Sequence, residues 1–248
     1  MNENTNRKVI CVGWHKTGTT TIGDALLTLG YDVIGARVDL ADELLEDNLD
    51  PVLELATEFS GLQDVPWNAL YRELDRAFPD SRFILTIRDE EKWLDSAIRH
   101  FGRREYDTPI FQWLYGEGRI NGNEQLYLER YRRHNREVIE YFSERPQDLL
   151  VIQLEDKQGW KPLCNFLGQP MPARTFPHSN PASHKLSWSA RLYRLARRLT
   201  PPPLRRMRMR LLELLGRPVN VDRFNNKEAN ESARERYARQ SDILGKDN

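Results

Sequence analysis

Cysteine is scarce in this sequence, and its scarcity excludes two kinds of stabilising site. The chain of 248 residues contains only Cys11 and Cys164. Both lie in apolar stretches, which favours two buried thiols over a disulfide framework or a cysteine-ligated metal. We therefore expect no bound metal and a reducing environment.

Long apolar runs are also missing. No segment approaches the roughly 18 apolar residues that a membrane-spanning helix requires. The polar start MNENTNRK lacks the apolar centre of a secretory signal. Together these absences predict a cytoplasmic protein.

The chain has no net charge, but its charges are unevenly distributed. A formal charge of +0 indicates no nucleic-acid partner. From Val38 to Asp64 there are nine acidic residues and no Lys or Arg, whereas Lys185–Arg217 contains ten basic residues and one acidic residue. Each block is typical of a solvated helix face. A non-enzymatic alternative is a membrane- or polyanion-binding module that uses the basic block, 185–217. Leu192, Leu195 and Leu199 form an apolar stripe there, which permits peripheral membrane contact through an amphipathic helix.

Apolar strand-like runs alternate with amphipathic helical segments along the first three quarters of the chain. This order predicts an α/β fold of the P-loop type, a mostly parallel sheet with helices on both faces. We expect a core over residues 1–184 and a basic helical extension over 185–248. The predicted strands are Lys8–Val12, YDVIG, GLQDV, Arg82–Ile87 and DLLVIQL. The predicted helices are Ile22–Leu29 with a stop at Gly30, Asp39–Phe59 with a break at Pro51, Trp67–Phe78, a helix beginning after Asp89, Asn123–Phe142 and WKPLCNFLG.

The segment GWHKTGTTTI follows the first predicted strand and precedes a helical repeat. Gly13 and Gly18 keep the spacing of a phosphate-binding P-loop, but Thr19 stands where a nucleotide hydrolase carries its lysine. The lysine here is Lys16. We expect backbone N–H groups and threonine hydroxyls from Thr17 to Thr20 to bind an anion at the helix N-terminus. A P-loop kinase or NTPase remains the alternative, with Asp89 as the only nearby candidate for a magnesium ligand.

A second segment, FILTIRDEEKWLDSAIRH, places Arg88 at a strand end and Ser96 eight residues later in a helix. At 100° per residue, Lys92, Ser96, Arg99 and Arg103 share one flank of that helix. This flank is suited to a phosphate group.

These two segments resemble those of sulfotransferases that use 3′-phosphoadenosine 5′-phosphosulfate (PAPS). HKTGTT is similar to the PKSGTT loop of that family, and the order of segments resembles the bacterial-type branch over about Lys8 to Asn180. The resemblance implies transfer of a sulfuryl group from PAPS to a hydroxyl or amine, without metal. It implies a small-molecule, glycan or lipid acceptor. The implied donor-binding residues are Lys16, Thr17, Gly18, Thr19, Thr20, Arg88 and Ser96. The resemblance also implies a catalytic role for Lys16, which would contact the bridging and leaving oxygens of the donor.

The same resemblance implies a general base between the loop and the arginine strand. Cytosolic members carry a histidine there, and Asp64 stands at that position, two residues before Pro66. Asp64 is equally compatible with a turn or helix cap, and His15 and His178 are rival bases. The sequence departs from the family at Thr21, where cytosolic members have tryptophan, and Lys185 is a weak substitute for their carboxy-terminal phosphate contact.

Overall fold

A five-stranded sheet forms the centre of the computed structural model, which describes residues 7–102, 107–156 and 159–178. The strand order is β2-β3-β1-β4-β5, and every neighbouring pair is parallel. The strands are β1 Val9–Cys11, β2 Val33–Ile34, β3 Gly61–Gln63, β4 Arg82–Ile87 and β5 Leu149–Gln153. Each lies within or overlaps one of the five segments that the sequence predicts as strands.

Eight α-helices accompany these strands in the described part of the chain. They are α1 Thr19–Thr28, α2 Ala41–Leu45, α3 Asp50–Thr57, α4 Tyr71–Ala77, α5 Glu90–Phe101, α6 Pro109–Tyr115, α7 Glu124–Tyr141 and α8 Trp160–Leu167. Short 3₁₀ turns cover Val38–Leu40, Pro146–Asp148 and Leu154–Asp156.

Both faces of the sheet are apolar and both are covered by helices. In β1, Val9 and Cys11 pack with α1 and α8, whereas Ile10 packs with the helices of the opposite face, among them α5 and α7. This alternation follows from the two-residue period of a strand, which buries every residue when helices lie on both sides. The α/β prediction with helices on both faces is confirmed.

Several helix boundaries differ from the predicted ones. The acidic helix breaks before Pro51 and not at it, because Pro51 occupies the first turn of α3, where proline is tolerated. Trp67 lies outside α4, and its indole Nε1 donates to the Gly35 carbonyl at 2.8 Å. Asp89 caps α5 as predicted, since its Oδ1 accepts the Lys92 N–H at 3.0 Å.

The fold brings four chain segments to one edge of the sheet. Because the strands are parallel, the residues after β1, β3, β4 and β5 meet at their carboxyl edge, where open α/β sheets bind ligands. These segments hold Lys16, Asp64, Arg88 and Glu155 respectively. All described residues belong to one compact unit, and the predicted extension 185–248 lies outside them.

Candidate active site

The segment between β1 and α1 forms a loop shaped to accept an anion. Lys16 and Gly18 have left-handed backbone conformations, with φ of 69° and 105°. The backbone N–H groups of Gly18, Thr19 and Thr20 make no hydrogen bond to another described residue. Unpaired donors at the positive end of a helix dipole attract anions, so the loop has the geometry of a phosphate or sulfate receptor.

Gly13 is required because the end of β4 approaches the loop closely. A Cβ atom at Gly13 would lie 1.8 Å from Thr86 Oγ1 and 2.8 Å from the Thr86 backbone nitrogen. The second contact is to backbone, so no side-chain movement would relieve it. The first loop glycine therefore serves packing against β4.

Thr17 anchors the loop to the sheet. Its hydroxyl donates to the Trp14 carbonyl at 2.5 Å and lies 2.5 Å from Thr86 Oγ1, and its N–H also donates to the Trp14 carbonyl. Its hydrogen-bonding groups are thus engaged within the protein. Thr19 and Thr20 begin α1, where Thr19 is buried and Thr20 half-buried.

Lys16 is half-buried in the loop, and burial lowers the pKa of its ammonium group below the usual 10.5. The charge of Asp64 opposes this shift, whereas those of Arg88 and Arg99 add to it. Within the described part of the chain, Lys16 Nζ makes no ion pair or hydrogen bond. An anion in the loop would therefore meet a cation that forms no ion pair with a described carboxylate.

Asp64 follows β3 directly and contacts the phosphate-type loop. Its Oδ2 accepts the Thr19 hydroxyl at 3.2 Å, and its Oδ1 accepts the Val65 N–H at 2.9 Å. Its backbone is left-handed, with φ of 69°. Asp64 thus forms a turn and also places a carboxylate beside the loop.

Arg88 lies at the end of β4, adjacent to Lys16. Its NH1 group donates to the Lys16 carbonyl at 3.2 Å, and its NH2 group pairs with Glu155 Oε1 at 3.2 Å. The Tyr131 hydroxyl accepts the Arg88 N–H at 2.9 Å and donates to its carbonyl at 2.7 Å. The buried Nε makes no hydrogen bond to a described residue.

Comparison with known proteins identifies the family to which this chain belongs. A sequence model of the sulfotransferase domain matches residues 8–185. The chain belongs to the sulfotransferase domain family. It is also similar to Ava biosynthesis cluster protein M of Aspergillus versicolor, at 27% identity over 149 residues that cover 50% of this chain and 55% of that protein. The chain thus matches about half the length of this curated relative.

Three further residues are singled out by the sequence of this sulfotransferase-family chain: His15, His178 and Asp89. The His15 side chain is buried among aromatic rings, and its Nε2 lies 2.6 Å from the Tyr115 hydroxyl. His178 is exposed in the segment after α8. Asp89 serves as the cap of α5, so the carboxylate that contacts the loop is Asp64 and not Asp89.

Among the described residues of the predicted basic flank of α5, Lys92 shares a partner, Glu155, with Arg88. Ser96 is half-buried, and no described residue hydrogen-bonds to its hydroxyl. Lys92 Nζ lies 3.4 Å from Glu155 Oε2, and Arg99 pairs with Asp95 at 2.8 Å. Arg103 and Lys185 lie outside the described residues.

Glu155 is the site residue that sequence reasoning missed. It follows β5 by two positions and contacts both Arg88 and Lys92. The available signal was an acidic residue just after a buried strand in a parallel sheet.

Two classes of feature are absent from the part of the chain that the structure describes. No cluster of three or more His, Cys, Asp or Glu side chains is suited to a metal ion there. None of the described helices has the length and apolar character needed to cross a membrane.

Proposed function

We propose that this chain is a PAPS-dependent sulfotransferase that acts on a hydroxyl or amine acceptor. The observation that carries the proposal is the contact between Arg88 and the Lys16 carbonyl, which joins the loop after β1 to the arginine after β4. The two anion-binding elements that the sequence separates by 72 positions are thereby adjacent. A donor with two anionic groups requires such a pair of sites.

The residues present fit the two ends of PAPS. The unpaired N–H groups of Gly18, Thr19 and Thr20, with the ammonium of Lys16, would hold the phosphosulfate. The guanidinium of Arg88 would hold the 3′-phosphate, and Ser96 is assigned there on the family resemblance alone. When bound, PAPS would supply the sulfuryl group and leave as adenosine 3′,5′-bisphosphate.

Asp64 is the residue that we assign as general base. The acceptor must lose a proton as its oxygen or nitrogen bonds to sulfur, and a carboxylate within hydrogen-bond reach can accept that proton. Asp64 contacts the first residue of α1, whereas the imidazole of His15 faces the Tyr115 hydroxyl in the aromatic core. We therefore assign His15 a structural role, in which its side chain holds the loop in position.

The donor assignment is tested by calorimetry with adenosine 3′,5′-bisphosphate in the presence of EDTA. We expect binding without metal, because Lys16, Arg88 and the loop amides supply the compensating charge. Weaker binding of adenosine 5′-monophosphate would identify the second subsite. A strict requirement for magnesium would contradict the proposal.

Phosphoryl transfer is the second candidate, and one contact favours it. The Thr19 hydroxyl beside the Asp64 carboxylate offers the oxygen donors that Mg²⁺ prefers next to a phosphate loop. Against it, no lysine follows Gly18. If ATP with magnesium raised the melting temperature more than the bisphosphate did, this candidate would replace the first.

The acceptor is open to direct screening. Radiolabelled PAPS incubated with phenols, amines, glycans and lipids should label one class. The basic segment 185–217 makes anionic glycans and lipids reasonable first choices, and vesicle sedimentation with and without it tests peripheral membrane contact.

A further inference from the structure

The subsite around Arg88 contains a carboxylate where the proposed ligand has a phosphate. Glu155 Oε1 lies 3.2 Å from Arg88 NH2, and Glu155 Oε2 lies 3.4 Å from Lys92 Nζ. Each carboxylate oxygen thus contacts one cation. Two non-bridging oxygens of a phosphate would make the same pair of contacts.

Glu155 lies in a segment that packs against the loop. It lies in the 3₁₀ turn Leu154–Asp156, and the neighbouring Leu154 packs on Gly18, where an added Cβ would lie 2.4 Å from Leu154 Cδ1. This turn follows β5, the sheet neighbour of β4. The position of Glu155 beside Arg88 is therefore set by the sheet.

Arg88 does not depend on Glu155 for its orientation. A separate nitrogen, NH1, binds the Lys16 carbonyl, and Tyr131 holds both the N–H and the carbonyl of the Arg88 residue. Loss of Glu155 would therefore leave the arginine in place. The side chain of Glu155 is 35% exposed and that of Lys92 is 62% exposed, so the carboxylate has access to solvent when displaced.

From these contacts we propose that Glu155 is an internal competitor for the 3′-phosphate and determines how strongly the site prefers 3′-phosphorylated nucleotides. This inference rests on the proposed PAPS-type function. The 3′-phosphate must displace the carboxylate from Arg88 and Lys92, which lowers affinity for that group and speeds release of the bisphosphate product. A nucleotide with a 3′-hydroxyl leaves the ion pairs intact and is not penalised.

The test compares Glu155→Gln with Asp156→Asn, which removes the same charge from the next, exposed position. Calorimetry gives the affinity ratio of adenosine 3′,5′-bisphosphate to adenosine 5′-monophosphate for each variant. We expect Glu155→Gln to raise this ratio about threefold to thirtyfold, as suits the removal of two partly exposed ion pairs. We expect Asp156→Asn to keep the parental ratio and the gain to shrink at high salt.

A double variant tests whether Glu155→Gln changes the affinity ratio through Arg88. In an Arg88→Ala background, Glu155→Gln should raise the ratio by much less, because the contested cation is gone. If the parent binds no bisphosphate, the proposed function fails and this inference fails with it. If the parent binds it but Glu155→Gln lowers the ratio or leaves it unchanged, only the role of Glu155 is overturned.

Discussion

At the scale of single residues, burial has its clearest functional consequence at Lys16, because it lowers the pKa of the ammonium group. A lysine whose pKa lies below 10.5 loses its charge at a lower pH than an exposed lysine. Anion binding requires the charged form, so affinity should decline once the pH exceeds that lowered pKa. The burial of Lys16 in the loop thus predicts the pH dependence of anion binding as well as the place where the anion binds.

The first prediction concerns this pH dependence. We expect the dissociation constant for adenosine 3′,5′-bisphosphate to rise with pH at alkaline values, by up to about tenfold per pH unit for one linked proton. In Lys16→Arg the guanidinium stays charged, so this rise should disappear whatever the absolute affinity. Calorimetry from neutral to alkaline pH measures both curves, and parallel curves would contradict a role for Lys16 in anion binding.

The second prediction concerns Asp64. Asp64→Asn keeps the size and removes the basicity, so kcat should fall about 10²- to 10⁴-fold, the usual contribution of a general base. Bisphosphate affinity should be retained or rise, because Asp64 contacts the Thr19 hydroxyl and not the unpaired N–H groups, and its negative charge lies near Lys16. Steady-state rates with an identified acceptor and calorimetry give the two values.

His178→Asn is the matched control for Asp64→Asn, because His178 is exposed in the segment after α8. We expect it to retain parental kcat. If it lost activity while Asp64→Asn kept it, the base would be His178, and Asp64 would be a turn residue only.

At the scale of elements, α7 is fastened to the strand that precedes the loop. His134 of α7 is fully buried, and its Nε2 donates to the Val12 carbonyl at 2.7 Å. The Val12 carbonyl lies just beyond β1, so this hydrogen bond connects α7 to the start of the loop. Burial lowers the pKa of His134 to about 3.

The third prediction follows from that shift. The folded pKa of about 3 lies below the ordinary 6.5, so the unfolded state binds more protons between these values. Folding stability should therefore fall as the pH falls below 6.5, by roughly 1.4 kcal/mol per pH unit from this residue. Urea unfolding at several pH values should show the slope.

His134→Gln should reduce the slope, because the amide does not titrate. The variant will also be less stable near neutral pH, where ring packing against Trp14 is lost, so the comparison concerns slopes and not absolute values. His178→Gln should retain the parental slope. Equal slopes in all three proteins would mean that His134 is not a buried neutral group.

At the scale of the whole molecule, the covered sheet should protect both cysteines. Cys11 lies in β1 and Cys164 in α8, and they are 0% and 1% exposed. Burial raises the pKa of Cys11 to about 12 and also raises the pKa of Cys164. The reactive thiolate is therefore scarce at neutral pH in the folded protein.

The fourth prediction is that neither thiol reacts readily with a disulfide reagent in the native state. Both should react in denaturant, and native-state rates should follow the opening of the fold. A spectrophotometric thiol assay measures both. Fast reaction of Cys11 without denaturant would contradict the position of β1 between two helical layers.

Much of the architecture was predictable because it depends on local patterns. The short apolar runs that became strands are continuous, and Asp89 caps α5 through contacts within one turn. By contrast, α6 was missed, and Trp67 was assigned to a helix it precedes. The bond that holds the Trp67 indole goes to Gly35, 32 positions away, and no local pattern encodes it.

The sequence by itself determined the chemistry available to this protein: an anion-binding loop with Lys16, an arginine at a strand end and an aspartate between them. The tertiary structure decided how those groups are engaged. In the folded chain the His15 side chain lies in the aromatic core, and the Thr17 hydroxyl hydrogen-bonds to Thr86 and holds the loop against the sheet. It also placed Glu155 against Arg88, a contact over 67 positions that exists because β4 and β5 are parallel neighbours with carboxyl ends at one edge. Spacing along the chain shows which groups are present, but only the pairing of strands determines which of them meet.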